Sequence, residues 1–311
     1  MDVHKPPVPA RGQAPGAGTI RQRGQVHRGP PPSQAPDREF AYSDKDFRQV
    51  RDLIYRHAGI ALAPGKRDMV YSRLSRRLRA LGITDFRTYL RRLEEDPGSE
   101  LQAFINALTT NLTSFFREPH HFDRLRQELQ RNGGTGRPRQ LWSCAASTGE
   151  EPYSMAISAC EALESLAPPV RILATDVDTQ VLETARRGVY SMERVADLAP
   201  ALLRRYFLRG TGAQAGFCRV RPELQALIEF RPLNLLQPGY DVDRDVLALF
   251  CRNVMIYFDK PTQRSIISRL VGHLAPEGLL YTGHSENYLH AADLIVPSGR
   301  TLYRRAPGCA P

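Results

Sequence analysis

Gln140-Leu141-Trp142-Ser143-Cys144-Ala145-Ala146-Ser147-Thr148-Gly149-Glu150-Glu151-Pro152-Tyr153-Ser154 is the stretch on which the fold turns. An apolar run shrinks to small residues, turns at a glycine and restarts as an acidic helix-forming segment, the order of a strand, a tight turn and a helix. The same alternation continues downstream. Strands are expected over 140–144, 170–175, 226–230, 246–251 and 278–282, and helices over 151–166, 179–187 and 261–274. Alternation of this kind predicts an α/β fold with a parallel sheet covered on both faces. Such sheets bind ligands beyond the carboxyl ends of their strands. The residues just past each strand are therefore the ones to read for chemistry.

After the first strand, small residues let the backbone approach a ligand. Glu150 and Glu151 follow where a phosphate cradle would want bare amides and a lysine. Acids there suit a cationic or hydroxyl-rich ligand, or simply a helix N-terminus. The second strand ends in Thr175-Asp176-Val177-Asp178. A carboxylate at that tip can take both hydroxyls of a ribose, while Asp178 is placed to cap the next helix. Asn234 follows the third strand, offering a donor and an acceptor to an adenine edge or a ribose; a plain turn asparagine would look the same. Arg252-Asn253 interrupts the apolar run from Val246 to Phe258, and such a break in patterning marks functional sites. An Asn-Pro-Pro-Tyr motif, common to amino-methyltransferases of nucleic acids, is missing at that place, which weighs against base methylation. His120 and His121 raise a metal hypothesis, but no further ligand at helical spacing completes a set, and two ordinary interdomain histidines are expected. In Gly283-His284-Ser285-Glu286, Ser285 reads as a helix cap, with no Ser-His-Asp order for hydrolysis.

Upstream of the sheet region, helical periodicity covers residues 38–108. Ser43 or Asp44 caps a helix with Phe47, Val50, Leu53 and Ile54 on one face; Gly59 and Pro64-Gly65 break it. A second helix from Lys66 carries Met69, Val70, Leu74, Leu78 and Leu81, and Gly82 stops it. Residues 85–93 and 100–108 form two more. Before these, residues 1–37 are rich in proline, glycine and arginine with few large apolar side chains, so disorder is expected. The last five residues, 307–311, read as a tail. No internal repeat is evident.

The whole chain of 311 residues carries a net charge of +10, a balance that favours acidic partners without choosing among them. Five scattered cysteines form no Cys-x-x-Cys pair, so neither a disulfide frame nor a thiolate metal site is suggested and a cytoplasmic setting is expected. No run nears the roughly 20 apolar residues of a membrane span, and the N-terminus lacks a secretion signal. Direct membrane insertion is not expected.

Taken in order, these blocks resemble the CheR family of chemotaxis protein-glutamate O-methyltransferases. The matching stretches are TTNLTSFFREPHHF (109–122), WSCAASTGEEPYSMA (142–156), ATDVDTQVLETARRGVYS (174–191), RYFLRGTG (205–212), RPLNLL (231–236), FCRNVMIYFD (250–259) and GLLYTGHSEN (278–287), so the likeness covers about residues 40–305. It implies a small all-helical domain (38–108) joined to a Rossmann-like methyltransferase domain (109–306) with an inserted antiparallel β-subdomain near 206–224. It implies S-adenosylmethionine as methyl donor and S-adenosylhomocysteine as product. Carried over by residue, the cofactor contacts fall on Asn111, Thr113, Arg117, Glu151, Asp176, Asn234, Leu235, Arg252 and Asn253, with Arg117 and Tyr257 beside the transferred methyl. It turns the basic helix bearing Arg73, Arg76, Arg77 and Arg79 toward the methylation helices of chemotaxis receptors; without it, those arginines read as a solvated face. Through Arg209-Gly210-Thr211-Gly212 it implies a full-length insert, of the kind that holds a C-terminal pentapeptide tether of certain receptors, making Gly210 and Gly212 substrate-binding. The chain departs from the family in its long N-terminal tail and in Cys144, where a small residue is common.

The expected acceptor suits this residue set. A glutamate carboxylate, with a reference pKa of about 4.3, is already ionised near neutrality and needs no general base. The expected enzyme is a cytoplasmic monomer, recruited to membrane receptors by binding them, with no nucleic-acid partner and no metal. A methyltransferase for another protein, a cofactor-binding sensor without turnover and a nucleic-acid methyltransferase are the competing readings.

Overall fold

The structure is a computed structural model that describes residues 38–132 and 137–308. The expectations for residues 1–37, and for 309–311 of the C-terminal tail, fall outside the described residues. From Phe40 onward the chain forms one compact unit.

Four helices come first: α1 (Asp44–Ala58), α2 (Arg67–Leu81), α3 (Phe86–Glu95) and α4 (Gly98–Leu108). Ser43 caps α1 with its hydroxyl on the Asp46 amide, and the Asp46 carboxylate returns a bond to the Ser43 amide. That reciprocal box fixes the start of the helix. Gly59 and Gly82 close α1 and α2 in the left-handed conformation, which glycine adopts without a Cβ penalty. The apolar faces meet in a core of Val50, Leu53, Ile54, Val70, Leu74, Leu78, Phe86 and Leu90, every one of them buried.

Next come α5 (His120–Asn132), β1 (Arg139–Ser143), α6 (Glu150–Ala162), β2 (Val170–Asp176), α7 (Thr179–Arg187) and β3 (Val189–Ser191). The chain continues with α8 (Pro200–Tyr206), β4 (Phe207–Arg209), β5 (Phe217–Val220), α9 (Pro222–Gln225), β6 (Ile228–Pro232) and β7 (Val246–Cys251). It ends with α10 (Lys260–Val271), β8 (Leu274–Thr282), β9 (Ile295–Gly299) and β10 (Leu302–Arg305). Seven strands form one sheet in the order β6-β2-β1-β7-β8-β10-β9. The first five run parallel; β10 is antiparallel to both β8 and β9. From β1 the order grows through β2 to β6 on one side and through β7 to β8 on the other. The switch in direction between β1 and β7 opens a crevice at the strand tips. β7 is buried at all six positions, as a central parallel strand should be.

Several local expectations differ from the structure: the helix expected over 151–166 stops at Ala162, that over 261–274 stops at Val271 with Leu274 already in the sheet, and Ser285 caps no helix. The strand expected over 278–282 begins at Leu274, because a register shift between Val246 and Ala248 makes room for Pro276 and Glu277 within it. Gly278 is required there: a Cβ would lie 2.5 Å from the Val246 carbonyl oxygen. The closing hairpin β9–β10 was not anticipated, since Pro297 and Gly299 look like a loop; on the sheet's edge strand, a proline costs no ladder bond. A second sheet has three antiparallel strands in the order β3-β5-β4. Its first strand, residues 189–191, lies upstream of the expected insert, so the subdomain draws on both sides of α8.

Candidate active site

Beyond the tips of β1, β2 and β7, a cavity of about 370 Å³ opens between the strands and the helical region, within the size range of small-molecule sites. The chain ties the helical region down around it. The Asn234 side-chain amide donates to the His57 carbonyl at 2.6 Å, Tyr55 Oη donates to Asp259 at 2.7 Å, and the Ala61 amide donates to the Tyr257 carbonyl at 2.9 Å. Gln102 of α4 donates to the Val177 carbonyl at 2.8 Å.

All ten residues expected at the cofactor or the methyl group line this one cavity: Asn111, Thr113, Arg117, Glu151, Asp176, Asn234, Leu235, Arg252, Asn253 and Tyr257. Arg73, Arg76, Arg77, Arg79, Gly210 and Gly212 do not.

Each strand tip contributes differently. After β1 the turn places Ser147 at φ 49° and Gly149 at φ 97°. A Cβ on Gly149 would meet the Ala185 Cβ at 2.8 Å, so only glycine lets α6 start against α7. Asp176, at the tip of β2, accepts the Ser147 amide on Oδ2 and the Asp178 amide on Oδ1, both at 2.9 Å. Each oxygen keeps a lone pair for a further donor, so the carboxylate can still receive a pair of ribose hydroxyls. Burial pushes its pKa up to about 6, against the pull of those two amides.

Asp178 has two jobs. Oδ1 caps α7 by accepting the Gln180 and Val181 amides, while Oδ2 accepts Thr109 Oγ1 at 2.6 Å and Asn111 Nδ2 at 2.8 Å. It thereby fixes the segment that brings Asn111 and Thr113 to the cavity. Its cap was legible in the sequence; its hold on Asn111 was not.

After β7, Arg252 turns inward. Its guanidinium donates to Glu151 Oε2 at 2.8 Å and to the Arg117 carbonyl, and lies 3.6 Å from Glu118. Ser143 Oγ fills Glu151 Oε1 at 2.8 Å. Burial raises the Glu151 pKa, with the Arg252 charge opposing it. Arg252 therefore braces the Arg117 backbone and the Glu151 carboxylate. Arg117 itself donates through Nη1 to the Leu112 carbonyl at 3.0 Å. Four of the seven non-glycine residues found at positive φ among the described residues, Phe116, Glu118, Ser147 and Asn253, sit in these loops, and strain of this kind gathers at functional sites.

Glu118 joins the paired histidines, which sequence spacing did not show. Glu118, His120 and His121 bring potential metal-ligating atoms within 4.8 Å of one another. Their present partners are different: both histidines turn Nε2 to the Thr301 hydroxyl, and Glu118 accepts His284 Nδ1 at 3.0 Å. Burial opposes ionisation of Glu118, yet the His284 bond and the Arg252 charge hold its pKa below the ordinary range. Burial and the Arg252 cation push His121 down to about 3, so its imidazole is neutral. A cation would have to displace or face Arg252, and the cluster is better described as bracing for the Arg252 loop.

A sheet with its switch point at a cavity, a carboxylate at the second strand tip and a small-residue turn after the first define an α/β domain built to hold a nucleoside. Residues 111–301 match the family described as CheR methyltransferase, SAM binding domain, and residues 45–109 match its all-alpha domain. The chain belongs to the CheR methyltransferase family, and its sheet domain is that family's S-adenosylmethionine-binding domain. It is similar to chemotaxis protein methyltransferase 2 of Pseudomonas aeruginosa, at 53 % identity over 87 % of this chain and 96 % of that one. It is also similar to the chemotaxis protein methyltransferase of Escherichia coli, at 52 % identity over 85 % of this chain and 92 % of that one. The solved N-methyltransferase NodS from Bradyrhizobium japonicum in complex with S-adenosyl-L-homocysteine is 16 % identical with a TM-score of 0.31, covering 54 % of this chain and 62 % of that one, too distant to bear on the chemistry.

Proposed function

We propose that the protein transfers the methyl group of S-adenosylmethionine to glutamate side chains of methyl-accepting chemotaxis receptors, leaving glutamate 5-O-methyl esters and S-adenosylhomocysteine. The observation that carries this reading is the convergence of Arg117, Glu151, Asp176, Asn253 and Tyr257 on one cavity, in a chain 52 to 53 % identical over 265 to 274 residues to proteins named chemotaxis protein methyltransferases.

The donor, when bound, supplies an electrophilic methyl on a positively charged sulfur. The chain's own residues do the rest. Asp176 receives the ribose, and Asn111, Thr113, Asn234, Leu235 and Asn253 complete the nucleotide-side contacts. Glu151 faces the same cavity with one lone pair left on each oxygen beside its bonds to Ser143 and Arg252, so it too is assigned to the donor's polar groups and moves no proton. No base is needed, because the acceptor arrives ionised. Arg117, its backbone held by Arg252 and its side chain by the Leu112 carbonyl, grips a carboxylate with its remaining donors. Tyr257 orients the attacking oxygen. Rate then comes from alignment, with the reacting atoms held about 3 Å apart, and from a cleft that excludes water.

Receptor contact is assigned to α2, and the four of its five arginines expected there divide. Arg77 forms a two-pronged pair with Glu100, at 3.1 and 2.6 Å, and Arg73 donates to the Thr109 carbonyl at 2.6 Å. Arg76 and Arg79 are the more exposed of the four, and on exposure alone we assign the acidic acceptor to them. In the small sheet β3 and β4 are both edges, the geometry that strand addition of a peptide tether requires. Gly210 there serves the turn: a Cβ would fall 2.1 Å from the Gln214 carbonyl oxygen. Gly212, at φ 55°, faces open space and is left for the tether. The protein is assigned to act as a monomer on protein, not nucleic acid, and to reach membranes by holding receptors; among the described residues no helix is long and apolar enough to cross one.

Transfer of tritium from labelled donor to receptor cytoplasmic fragments tests the reading. Base-labile label on receptor glutamates is the expected result. Label on another protein favours a different acceptor, and donor binding without any transfer would replace the enzyme by a sensor.

A further inference from the structure

Glu286 is a buried carboxylate that no step above uses. Only 9 % of it is exposed, and its oxygens are filled by backbone. Oε1 accepts the amides of Val254 and Met255 at 3.1 and 3.0 Å, and Oε2 accepts the amide of Gly283 at 2.6 Å. These donors sit on two loops that follow the neighbouring strands β7 and β8. The first loop carries Asn253, left-handed at φ 56°, and runs directly into the turn Met255–Tyr257. Asn253, Val254, Ile256 and Tyr257 all line the cavity. The second loop touches the first at Gly283, where a Cβ would lie 2.4 Å from Asn253 Nδ2.

A buried carboxylate costs stability unless its lone pairs are filled. Here burial raises its pKa while the amides pull the other way. A glutamine of the same shape would turn an N–H toward at least one of these donors, so it cannot hold both loops. We propose that Glu286 is a positioning residue for methyl transfer: its carboxylate clamps the loop after β7 against the loop after β8, and so holds Asn253 and Tyr257 where the donor and the acceptor meet them. It touches neither; it acts through the peptide groups it receives. This rests on the S-adenosylmethionine reading above, and the glutamate is chosen over its neighbour Ser285, which is exposed.

The test uses the full chain with S-adenosylhomocysteine as calorimetric ligand, so that no receptor is needed. Wild type binding no S-adenosylhomocysteine would overturn both readings together. With wild type binding, Glu286→Gln is expected to raise Kd at least tenfold, and Glu286→Asp, which reaches one loop but not both, to fall between. In methylation assays at saturating donor, kcat is expected to drop while the KM for receptor stays within twofold, a split that general destabilisation would not produce. Wild-type Kd and kcat in Glu286→Gln with only a lowered Tm would overturn the proposal. Gly283→Ala reaches the same loop without touching the carboxylate, by pressing a methyl on the Asn253 side chain. It is expected to weaken S-adenosylhomocysteine in the same direction, and wild-type affinity in that variant would equally overturn the clamp.

Discussion

The helical region and the strand-tip loops are built by opposite rules. In α1 to α4 the main local preferences agree with the fold: a reciprocal cap at Ser43, glycines closing α1 and α2, and apolar faces meeting in one core. The segments around the cavity, residues 109–119 and the tips of β1, β2 and β7 with the start of α6, break the rules in several ways at once. Glu151, Asp176 and Arg252 are buried with their charges, and Phe116, Glu118, Ser147 and Asn253 hold positive φ without being glycine. Agreement between levels makes a scaffold, and disagreement compensated by neighbours makes a site. The difference predicts that substitutions in the first region move stability, while those in the second move chemistry.

The largest effect should come from the scaffold. Leu74 is wholly buried in the helical core, and Leu74→Ala is expected to cost about 2–5 kcal/mol of folding stability through lost burial and the cavity left behind. Measured by denaturant titration, that loss should leave the Kd for S-adenosylhomocysteine unchanged at temperatures where the variant is folded. A change in affinity of tenfold would mean that the two regions are not separable. Arg117→Ala, in the loops, should do the reverse. Methylation is expected to fall at least a hundredfold, about 2.7 kcal/mol in activation free energy, with Tm nearly unchanged. Near-wild-type turnover would remove Arg117 from the chemistry.

What could be read in advance follows the same division. Where residues obey pattern, the sequence was enough: the faces bearing Val50, Leu53 and Leu74, the strands at 140–144 and 246–251, and the stop at Gly82 all lie where periodicity and capping put them. The ten cavity residues were carried by motif, and their neighbours were not. Glu118 and His284 meet across 166 residues of chain, and Glu151 and Arg252 across 101, separations that no local spacing can reveal. Glu286 stood in a segment singled out for Ser285, because a serine before a turn reads as a cap while a glutamate reads as surface. Strand β8 hid its first four residues behind Pro276 and Gly278, whose breaker signal is cancelled by the register shift against β7.

Acidity offers an intermediate test. Asp176 has its pKa pushed up to about 6 by burial, and hydroxyl donors arriving with a ribose would favour its ionised form. Its pKa must then fall on binding, so affinity is full above pH 6 and weakens below it. The expected loss is about tenfold per pH unit, until the bound-state pKa is reached. Calorimetry with S-adenosylhomocysteine between pH 5 and 7.5 should show that slope, and Asp176→Asn should flatten it while weakening binding at neutral pH. A flat profile in the wild type would remove Asp176 as the ribose acceptor.

The smallest effect is the most discriminating, because one residue should move two properties in opposite directions. Asn253 holds φ 56°, a conformation that asparagine tolerates and glycine adopts freely. Asn253→Gly removes that strain and should leave stability unchanged or raise it by less than about 1 kcal/mol. It also removes the only side chain at that position facing the cavity, so S-adenosylhomocysteine affinity should fall several-fold. A scaffold residue shows no such inversion: Leu74→Ala loses stability and keeps affinity. If Asn253→Gly lost both together, the left-handed turn would belong to the framework, and strain at the strand tips would have to be explained by folding instead of by the ligand.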